Sequence, residues 1–177
     1  MKEVLQHNFV SEKPTSLFTT FIVDDETNAK IIEEIKSSGD KQDYKTNVKA
    51  YMTDWQMKDK PGFDVLEKKI LEVSAFLSAK YYNRPDTKLR VDNFWGMIYK
   101  KGDYARVHDH WPALWSGVYY IKAPKGGGDI EFPQLKQKIT PKDNMMIIFD
   151  GYTRHGVTEN LSNEERIAVS FNVKETI

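Results

Sequence analysis

The chain has 177 residues, no cysteine and a formal net charge of zero, and 40% of its residues are hydrophobic. This length and composition suit one domain with a real core. The balanced charge argues against nucleic acid or an anionic membrane as the main partner, and the missing cysteines exclude disulfides, thiolate metal sites and cysteine nucleophiles. The sequence shows neither a signal-peptide run nor an apolar stretch of membrane-spanning length. We therefore expect a cytoplasmic protein without nucleic-acid or membrane partners.

The first predicted elements are a strand and a helix. Residues 15–23 are rich in β-branched and aromatic types, which favours a strand. Asp24 or Asp25 is a suitable cap for a following helix, and the Ser-Ser-Gly-Asp sequence at 37–40 is expected to end it. The apolar positions with helical spacing are Ala29, Ile31, Ile32 and Ile35.

A polar segment and a second helix follow. Residues 41–60 are predicted to form a long loop, either a functional lid or structure that the sequence does not reveal. The second helix is expected to begin at Pro61 and to end at Asn83. Its apolar stripe, which indicates packing against a sheet, consists of Phe63, Leu66, Ile70, Val73 and Leu77.

The C-terminal half has the sequence pattern of a β protein, with short runs rich in β-forming residues separated by turn residues. The chain is therefore expected to be mainly β with flanking helices, a sandwich or barrel buttressed by two N-terminal helices. We expect a single domain over 1–177, with the N-terminal strand and helices in 1–87 and the barrel core in 88–177. The predicted strands lie near 90–99, 104–110, 114–122, 128–132, 144–149 and 165–173.

Three of the four histidines lie in this β-rich half. His108 and His110 are two residues apart on a predicted strand, so their side chains share a face and their Cα atoms lie roughly 6.6 Å apart. His155 follows the apolar strand and is the remaining histidine of this half, whereas His7 is expected to be a solvated bystander in a tail. Imidazole ligands without thiolates suit several transition metals, so the ligand set alone does not choose the ion.

Arg166 begins the last predicted strand, where apolar and other residues alternate. If the apolar face packs against the helices, Arg166 and Ser170 point into the barrel; the reverse arrangement, with a solvated arginine, remains open. A buried arginine needs an anionic partner, and its planar guanidinium suits a carboxylate. A metal and a buried arginine together indicate a dicarboxylate that chelates the metal at one end and pairs with the arginine at the other. The apolar face consists of Ile167, Val169, Phe171 and Val173.

Residues 92–173 resemble the Fe(II)/2-oxoglutarate oxygenases, especially the prolyl-4-hydroxylase-like group. Four stretches carry the resemblance in the family's order and approximate spacing: MIYKKGDYARVHDH, WSGVYYIKAPKGGGDIEF, NMMIIFDGYTRHGV and ERIAVSFNV. The resemblance implies a double-stranded β-helix, which is a jelly-roll barrel, with Fe(II) as metal and 2-oxoglutarate and O2 as cosubstrates. It also implies hydroxylase-type chemistry, in which oxidative decarboxylation of 2-oxoglutarate is coupled to oxidation of a small-molecule or peptide substrate.

The resemblance assigns roles to individual residues. For the metal they are His108, His110 and His155, and for the cosubstrate Arg166, Ser170, Tyr120 and Tyr99. The two tyrosines have packing in an aromatic core as their alternative role.

One position departs from the family pattern. His110 stands where the family has a carboxylate ligand, which removes one negative charge from the metal site. Asp109 points to the opposite strand face and is a poor substitute. Asp129 or Glu131 is a weaker candidate for a supporting carboxylate.

Two other functional classes remain. A cupin-like three-histidine metalloprotein that does not use 2-oxoglutarate matches the spacing from Gly102 to His108 and His110, but lacks the glutamate and the glycine-proline pattern expected later. A non-catalytic barrel module is the third class. Trp111 and Trp115 either line a substrate mouth or belong to the core. The oligomeric state and the prime substrate stay open.

Overall fold

A computed structural model describes residues 5–9, 15–22, 24–38, 40–41 and 47–176. The α-helices are α1 (Asp25–Ser38) and α2 (Phe63–Tyr82), and a 3-10 helix spans Pro133–Leu135. The strands are β1 (Leu5–Phe9), β2 (Thr15–Phe21), β3 (Asp40–Lys41), β4 (Val48–Lys49), β5 (Tyr51–Met52), β6 (Leu89–Tyr99), β7 (Tyr104–His108), β8 (Trp115–Lys122), β9 (Ile130–Phe132), β10 (Gln137–Ile139), β11 (Met145–Asp150), β12 (His155–Val157) and β13 (Arg166–Glu175).

The strands form two sheets. The larger has the order β1-β2-β11-β8-β13-β6-β5-β3, and the smaller has the order β10-β9-β12-β7-β4. Neighbouring strands within each sheet run antiparallel, and the non-consecutive order shows that the chain crosses repeatedly between the sheets. This arrangement is the double-stranded β-helix, so the predicted jelly-roll fold with two buttressing helices is confirmed.

The helices cover the outer face of the larger sheet. The stripe predicted for α2 is buried along its whole length in one cluster with Ile31 and Ile35 of α1. The carboxylate of Asp24 accepts a hydrogen bond from the backbone N–H of Thr27 at 3.0 Å, which caps α1 as expected. Helix α2 ends at Tyr82, and the next residue, Asn83, caps it in the left-handed conformation.

A second core fills the space between the two sheets. Strand β13 separates the two cores, because Ile167, Val169, Phe171 and Val173 join the helical cluster whereas Ala168 belongs to the interior one. The same alternation turns Arg166 and Ser170 toward the interior. The arrangement predicted for the last strand, with its apolar side against the helices, is therefore the one observed.

The segment 41–60 differs from its prediction as a loop. Residues 48–49 pair with β7, residues 51–52 pair with β6, and Gln56 forms a bridge to Phe94. These pieces are too short to show an alternating pattern, and the edges of both sheets supply their hydrogen-bond partners. Residues 42–46 lie outside the described part of the chain.

Other boundaries also need correction. Strand β7 ends at His108, so His110 lies in the turn that follows and not on the strand. His155 begins a short strand instead of lying in a turn, and β10 was not predicted at all. His7 lies in β1, and its backbone pairs with Leu17 of β2, so His7 does not belong to an unpaired tail. Among the described helices, none is both long and apolar enough to cross a membrane.

Candidate metal centre and cosubstrate cavity

His108, His110 and His155 come together at one end of the space between the sheets. Strand pairing places His155 directly opposite His108, and the turn after β7 brings His110 back toward both. The ring centroids form a triangle with sides of 4.5, 4.9 and 5.1 Å. One nitrogen from each ring lies within 4.8 Å of those from the other two, so the three imidazoles can share one ion.

The protonation state of these rings favours metal binding. Burial lowers the pKa of each imidazole, and the neighbouring rings lower it further for His110 and His155. The pKa of His110 falls to about 4, and that of His155 falls well below its usual range. At neutral pH the rings are therefore uncharged, and each offers a free lone pair.

A narrow inner cavity extends from the histidines into the barrel. Arg166 lines this cavity and is fully buried. Its Nη1 donates to the carbonyl oxygen of Gly127 at 2.5 Å, and its guanidinium lies 3.9 Å from the centroid of the Tyr99 ring. The inner cavity is also lined by Tyr120 and Ser170.

Several polar groups in the inner cavity have no hydrogen-bond partner. Among the described residues, Nε and Nη2 of Arg166, the hydroxyl of Tyr120 and the indole Nε1 of Trp95 are buried without one. Burial raises the pKa of the Tyr120 hydroxyl above its ordinary value, so this group keeps its proton and can donate it. Because unpartnered buried donors are costly, their concentration here indicates a place for a ligand that accepts hydrogen bonds.

Two neighbouring features shape the surroundings of Arg166. A Cβ atom at Gly128 would lie 2.3 Å from the carbonyl oxygen of Thr158 and 2.8 Å from Nη1 of Arg166, so only glycine fits. The buried Asn160 donates to the carbonyl oxygens of Tyr99 and Glu164, which joins the end of β6 to the turn before β13. Gly128 thus leaves free the space that the guanidinium occupies, and the hydrogen bonds of Asn160 fix the backbone just before Arg166.

A wider outer cleft of about 650 Å³ opens on the other side of the histidines. Val48, Trp95, His108 and His110 line both the outer cleft and the inner cavity, so they form the neck between the two. Trp111 stands at the rim of the outer cleft with 74% of its surface exposed.

The remaining candidates from the sequence do not line the inner cavity. Of its two predicted positions, Trp115 takes the one in the core, where it is buried with the helices and donates to Ser78. Asp109 follows the end of β7, is exposed and accepts from the backbone N–H of Trp111, so it is not a metal ligand in place of His110. Glu131 pairs with Lys138, and Asp129 accepts from Thr140; neither belongs to the histidine cluster.

Sequence reasoning did not single out Trp95 or Asn160. A signal for Trp95 existed, because it lies four residues before Tyr99 on a strand and so shares its face. Asn160 gave no such signal, since its role depends on two distant carbonyl groups that only the fold brings together.

Comparisons with known proteins agree with this geometry. Residues 93–140 match the model of a 2OG-Fe(II) oxygenase family. A collagen prolyl hydroxylase of Paramecium bursaria Chlorella virus-1, solved with 2OG, is 24% identical with a TM-score of 0.67 over 90% of this chain and 96% of that one. A prolyl-4-hydroxylase from Pseudomonas putida is 13% identical with a TM-score of 0.70 over 92% of this chain and 93% of that one.

A third solved structure extends the comparison to a complex. A prolyl hydroxylase from Trichoplax adhaerens, bound to a fragment of the hypoxia inducible factor oxygen degradation domain, is 13% identical with a TM-score of 0.64 over 91% of this chain and 83% of that one. No curated protein sequence matches the chain. The family match over residues 93–140 supports the resemblance to the Fe(II)/2-oxoglutarate oxygenases. The likeness to the three prolyl hydroxylases is one of fold.

Proposed function

We propose that this protein is an Fe(II)- and 2-oxoglutarate-dependent oxygenase of the hydroxylase type. One observation carries the proposal: the cavity that is lined by the three histidines is also lined by a fully buried arginine with two unpartnered nitrogens. Neither a structural role nor a metal site alone explains why this arginine is buried with unpartnered nitrogens. Together the two features suit a ligand with a carboxylate at one end and metal-binding oxygens at the other.

The residues fit an iron site. Three uncharged imidazoles on adjacent elements supply the facial set of ligands that Fe(II) oxygenases use, with one histidine in place of the usual carboxylate. The Nδ1–H groups of His108 and His155 donate to the carbonyl oxygens of Arg106 and Thr153, which leaves Nε2 of each ring for the metal. We assign His108, His110 and His155 as ligands, and Fe(II) as the ion by family resemblance.

The residues also fit 2-oxoglutarate. The Nε and Nη2 of Arg166 and the hydroxyl of Tyr120 are three donors without partners, and a carboxylate accepts such donors well. Ser170 faces the same cavity and offers a further hydroxyl, while the ring face of Tyr99 supports the guanidinium. We assign Arg166, Tyr120, Ser170 and Tyr99 to the cosubstrate.

In the reaction, these side chains mainly bind, orient and exclude water. When bound, Fe(II) supplies the redox chemistry that couples consumption of O2 and conversion of 2-oxoglutarate to succinate with oxidation of the substrate. The apolar walls of the cavity, which include Met97, Phe149 and Ala168, keep bulk water from the cosubstrate. Arg166 holds the cosubstrate's carboxylate in this dry interior, where the charge-assisted pair is strong.

The prime substrate is expected to enter by the outer cleft, which meets the cosubstrate cavity at the histidines. Trp111 and Trp55 present exposed ring faces there, and the adjoining groove past Trp111 adds about 690 Å³. This space accommodates either a small molecule or a peptide segment. A cytoplasmic location remains a prediction from the sequence.

The cupin-like alternative explains the three histidines but gives no role to Arg166. A non-catalytic module explains neither the cluster of neutral imidazoles nor the unpartnered donors. The oxygenase assignment accounts for all of these features together.

An anaerobic titration tests the proposal. The purified protein is titrated with Fe(II) in the absence and then in the presence of 2-oxoglutarate, and visible absorption is recorded. We expect a charge-transfer band that needs both additions, and succinate formation after O2 is admitted. Metal binding without any 2-oxoglutarate binding at millimolar concentrations would favour the cupin-like class, and no metal binding would favour the non-catalytic module.

A further inference from the structure

The three histidines are not held in the same way. Nδ1 of His108 lies 2.6 Å from the carbonyl oxygen of Arg106, and Nδ1 of His155 lies 3.0 Å from that of Thr153. In the described part of the chain, the ring of His110 has ring contacts but no hydrogen bond of this kind. Metal-binding histidines almost always have such an acceptor, because it fixes the tautomer and the ring orientation.

The backbone of His110 is nevertheless well fixed. Its N–H donates to the carbonyl oxygen of Gly151 at 2.8 Å, and its own carbonyl accepts from the N–H of Ala113 at 2.9 Å. Only the side-chain torsions of His110 therefore remain to be restrained. Something other than a hydrogen bond must direct its imidazole toward the other two rings.

Trp95 is the aromatic side chain that contacts this imidazole from outside the cluster. The two rings meet edge to face with centroids 5.9 Å apart. Trp95 is buried on β6, where its backbone is paired with Ser170, and its indole stacks on Trp55 at 5.4 Å. The indole is thus held by a strand on one side and by a second tryptophan on the other.

We propose that Trp95 is a positioning residue that holds the imidazole of His110 toward the metal, in the place of the hydrogen bond that orients the other two ligands. This inference rests on the metal site of the proposed function. It makes His110 the weakest-held of the three ligands, because an aromatic contact restrains ring rotation less sharply than a directed hydrogen bond does.

Binding of Co²⁺, followed by its visible absorption, tests the proposal without any need for turnover. Removing the outer support of a metal ligand typically weakens metal binding by about 10- to 100-fold, and a ring contact belongs near the lower end. We expect Trp95→Leu to bind Co²⁺ roughly 10-fold more weakly with an altered spectrum, and Trp95→Phe, which keeps an aromatic ring, to restore most of the affinity. The matched control is Phe76→Leu, an exposed aromatic residue on α2, which should bind Co²⁺ as the wild type does.

A double-mutant cycle separates positioning from a general effect on the fold. In the His110→Ala background the indole has no ligand to direct, so Trp95→Leu should cause no further loss of affinity. An equal loss in both backgrounds would overturn the proposal, as would wild-type affinity in Trp95→Leu. His110→Ala should also weaken binding less than His108→Ala or His155→Ala does.

A measurement on the unmodified protein covers the case in which Trp95→Leu fails to fold. In the Zn²⁺ form, the side-chain N–H of His110 should exchange with water faster than those of His108 and His155, as observed by nuclear magnetic resonance. Equal protection of the three would overturn the proposal. Failure of the wild type to bind any of these metals would remove the proposed function itself, whereas normal binding that does not depend on Trp95 would remove only this inference.

Discussion

The guanidinium of Arg166 is fully buried, yet its described hydrogen bond goes to the neutral carbonyl oxygen of Gly127. A buried cation without a counter-ion carries a desolvation cost of several kcal/mol, which the ring face of Tyr99 offsets only in part. Such a residue does not stabilise the fold. Its position is explained by an anion that arrives with function.

Substitution of Arg166 should therefore act on the cosubstrate and not on the metal. Removing one partner of a buried charged pair costs about 3–5 kcal/mol, which corresponds to roughly two to three and a half decades of affinity. We expect Arg166→Ala to lose 2-oxoglutarate affinity on this scale, with Arg166→Lys between it and the wild type because the charge remains without the planar fork. Calorimetry on the Mn²⁺-loaded protein measures the effect.

Arg106→Ala serves as the control, since Arg106 is exposed on β7 and lies away from the inner cavity. It should bind 2-oxoglutarate as the wild type does. If Arg166→Ala matched this control, the cupin-like class would replace the oxygenase assignment.

Two glycines with positive φ near the cavity allow a matched test of the space around Arg166. Gly126 and Gly128 have φ angles of 76° and 91°, so alanine strains the backbone at either position, by about 1–3 kcal/mol. A Cβ atom at Gly126 meets nothing within 4 Å, whereas one at Gly128 collides with Thr158 and Arg166. Gly128→Ala should therefore lower both the free energy of unfolding and 2-oxoglutarate affinity, while Gly126→Ala lowers only the former. Equal cosubstrate affinity in the two variants would contradict the assigned position of the guanidinium.

At the scale of the elements, regular alternation is what the sequence predicts best. Strand β13 alternates apolar and other residues with a period of two, which shows which residues share a face but left open which face packs against the helices. The fold places the apolar face against the helices and Arg166 inside. The helical stripe of α2 was also predictable, because its spacing persists over about four turns, from Phe63 to Leu77. Each of these patterns repeats often enough within one segment to show which of its residues share a face.

The mistaken boundaries share a physical cause. Strand β7 stops at His108 because the chain then turns, with a local hydrogen bond from Ala113 to His110 and one from His110 to the distant Gly151 that only the folded chain supplies. Strands β4 and β5 have two residues each and exist because β7 and β6 offer free edges. The histidine cluster was nevertheless predictable, since the turn keeps His110 on the same side as His108.

The cap of α1 gives a prediction at this scale. Hydrogen bonds from Thr27 hold the pKa of the Asp24 carboxyl below its usual value, so the charged form is favoured in the folded protein. The stabilisation is therefore present above the unfolded pKa and disappears as the pH falls through the folded pKa. Asp24→Ala should lower the denaturant midpoint at pH 7, and the difference from wild type should shrink in acid below about pH 4.

Asp25→Ala provides the comparison, because Asp25 lies in the first turn of α1 but is exposed and does not cap it. Its effect on the denaturant midpoint should be the smaller of the two at pH 7. A pH-independent loss in Asp24→Ala would show that its carboxylate does not act through the cap.

At the scale of the whole molecule, the two cores have different tasks. The cluster between the helices and the larger sheet is continuous and apolar, and it provides the stable support. The space between the sheets holds, besides its apolar residues, the inner cavity with the histidines, Arg166 and the unpartnered donors. A fold with such an interior should gain stability when the ligands that complete it bind.

We expect this increase in stability to require both ligands, with the metal binding before 2-oxoglutarate. Mn²⁺ replaces Fe(II) here because it resists oxidation by air. A ligand present at 100 times its Kd stabilises the native state by about 2.7 kcal/mol, and 1 kcal/mol raises the Tm of a domain of this size by roughly 2–4 °C. Mn²⁺ with 2-oxoglutarate should thus raise the Tm by about 5–10 °C beyond Mn²⁺ alone at that saturation. Without metal, 2-oxoglutarate should have little effect, because its metal-binding oxygens would face the Nε2 lone pairs of His108 and His155, which cannot donate to them. Addition of a chelator should return the Tm to that of the apoprotein. An equal shift with 2-oxoglutarate in the presence of the chelator would mean that the carboxylate binds without the histidines, and the two halves of the site would then have to be assigned to separate ligands.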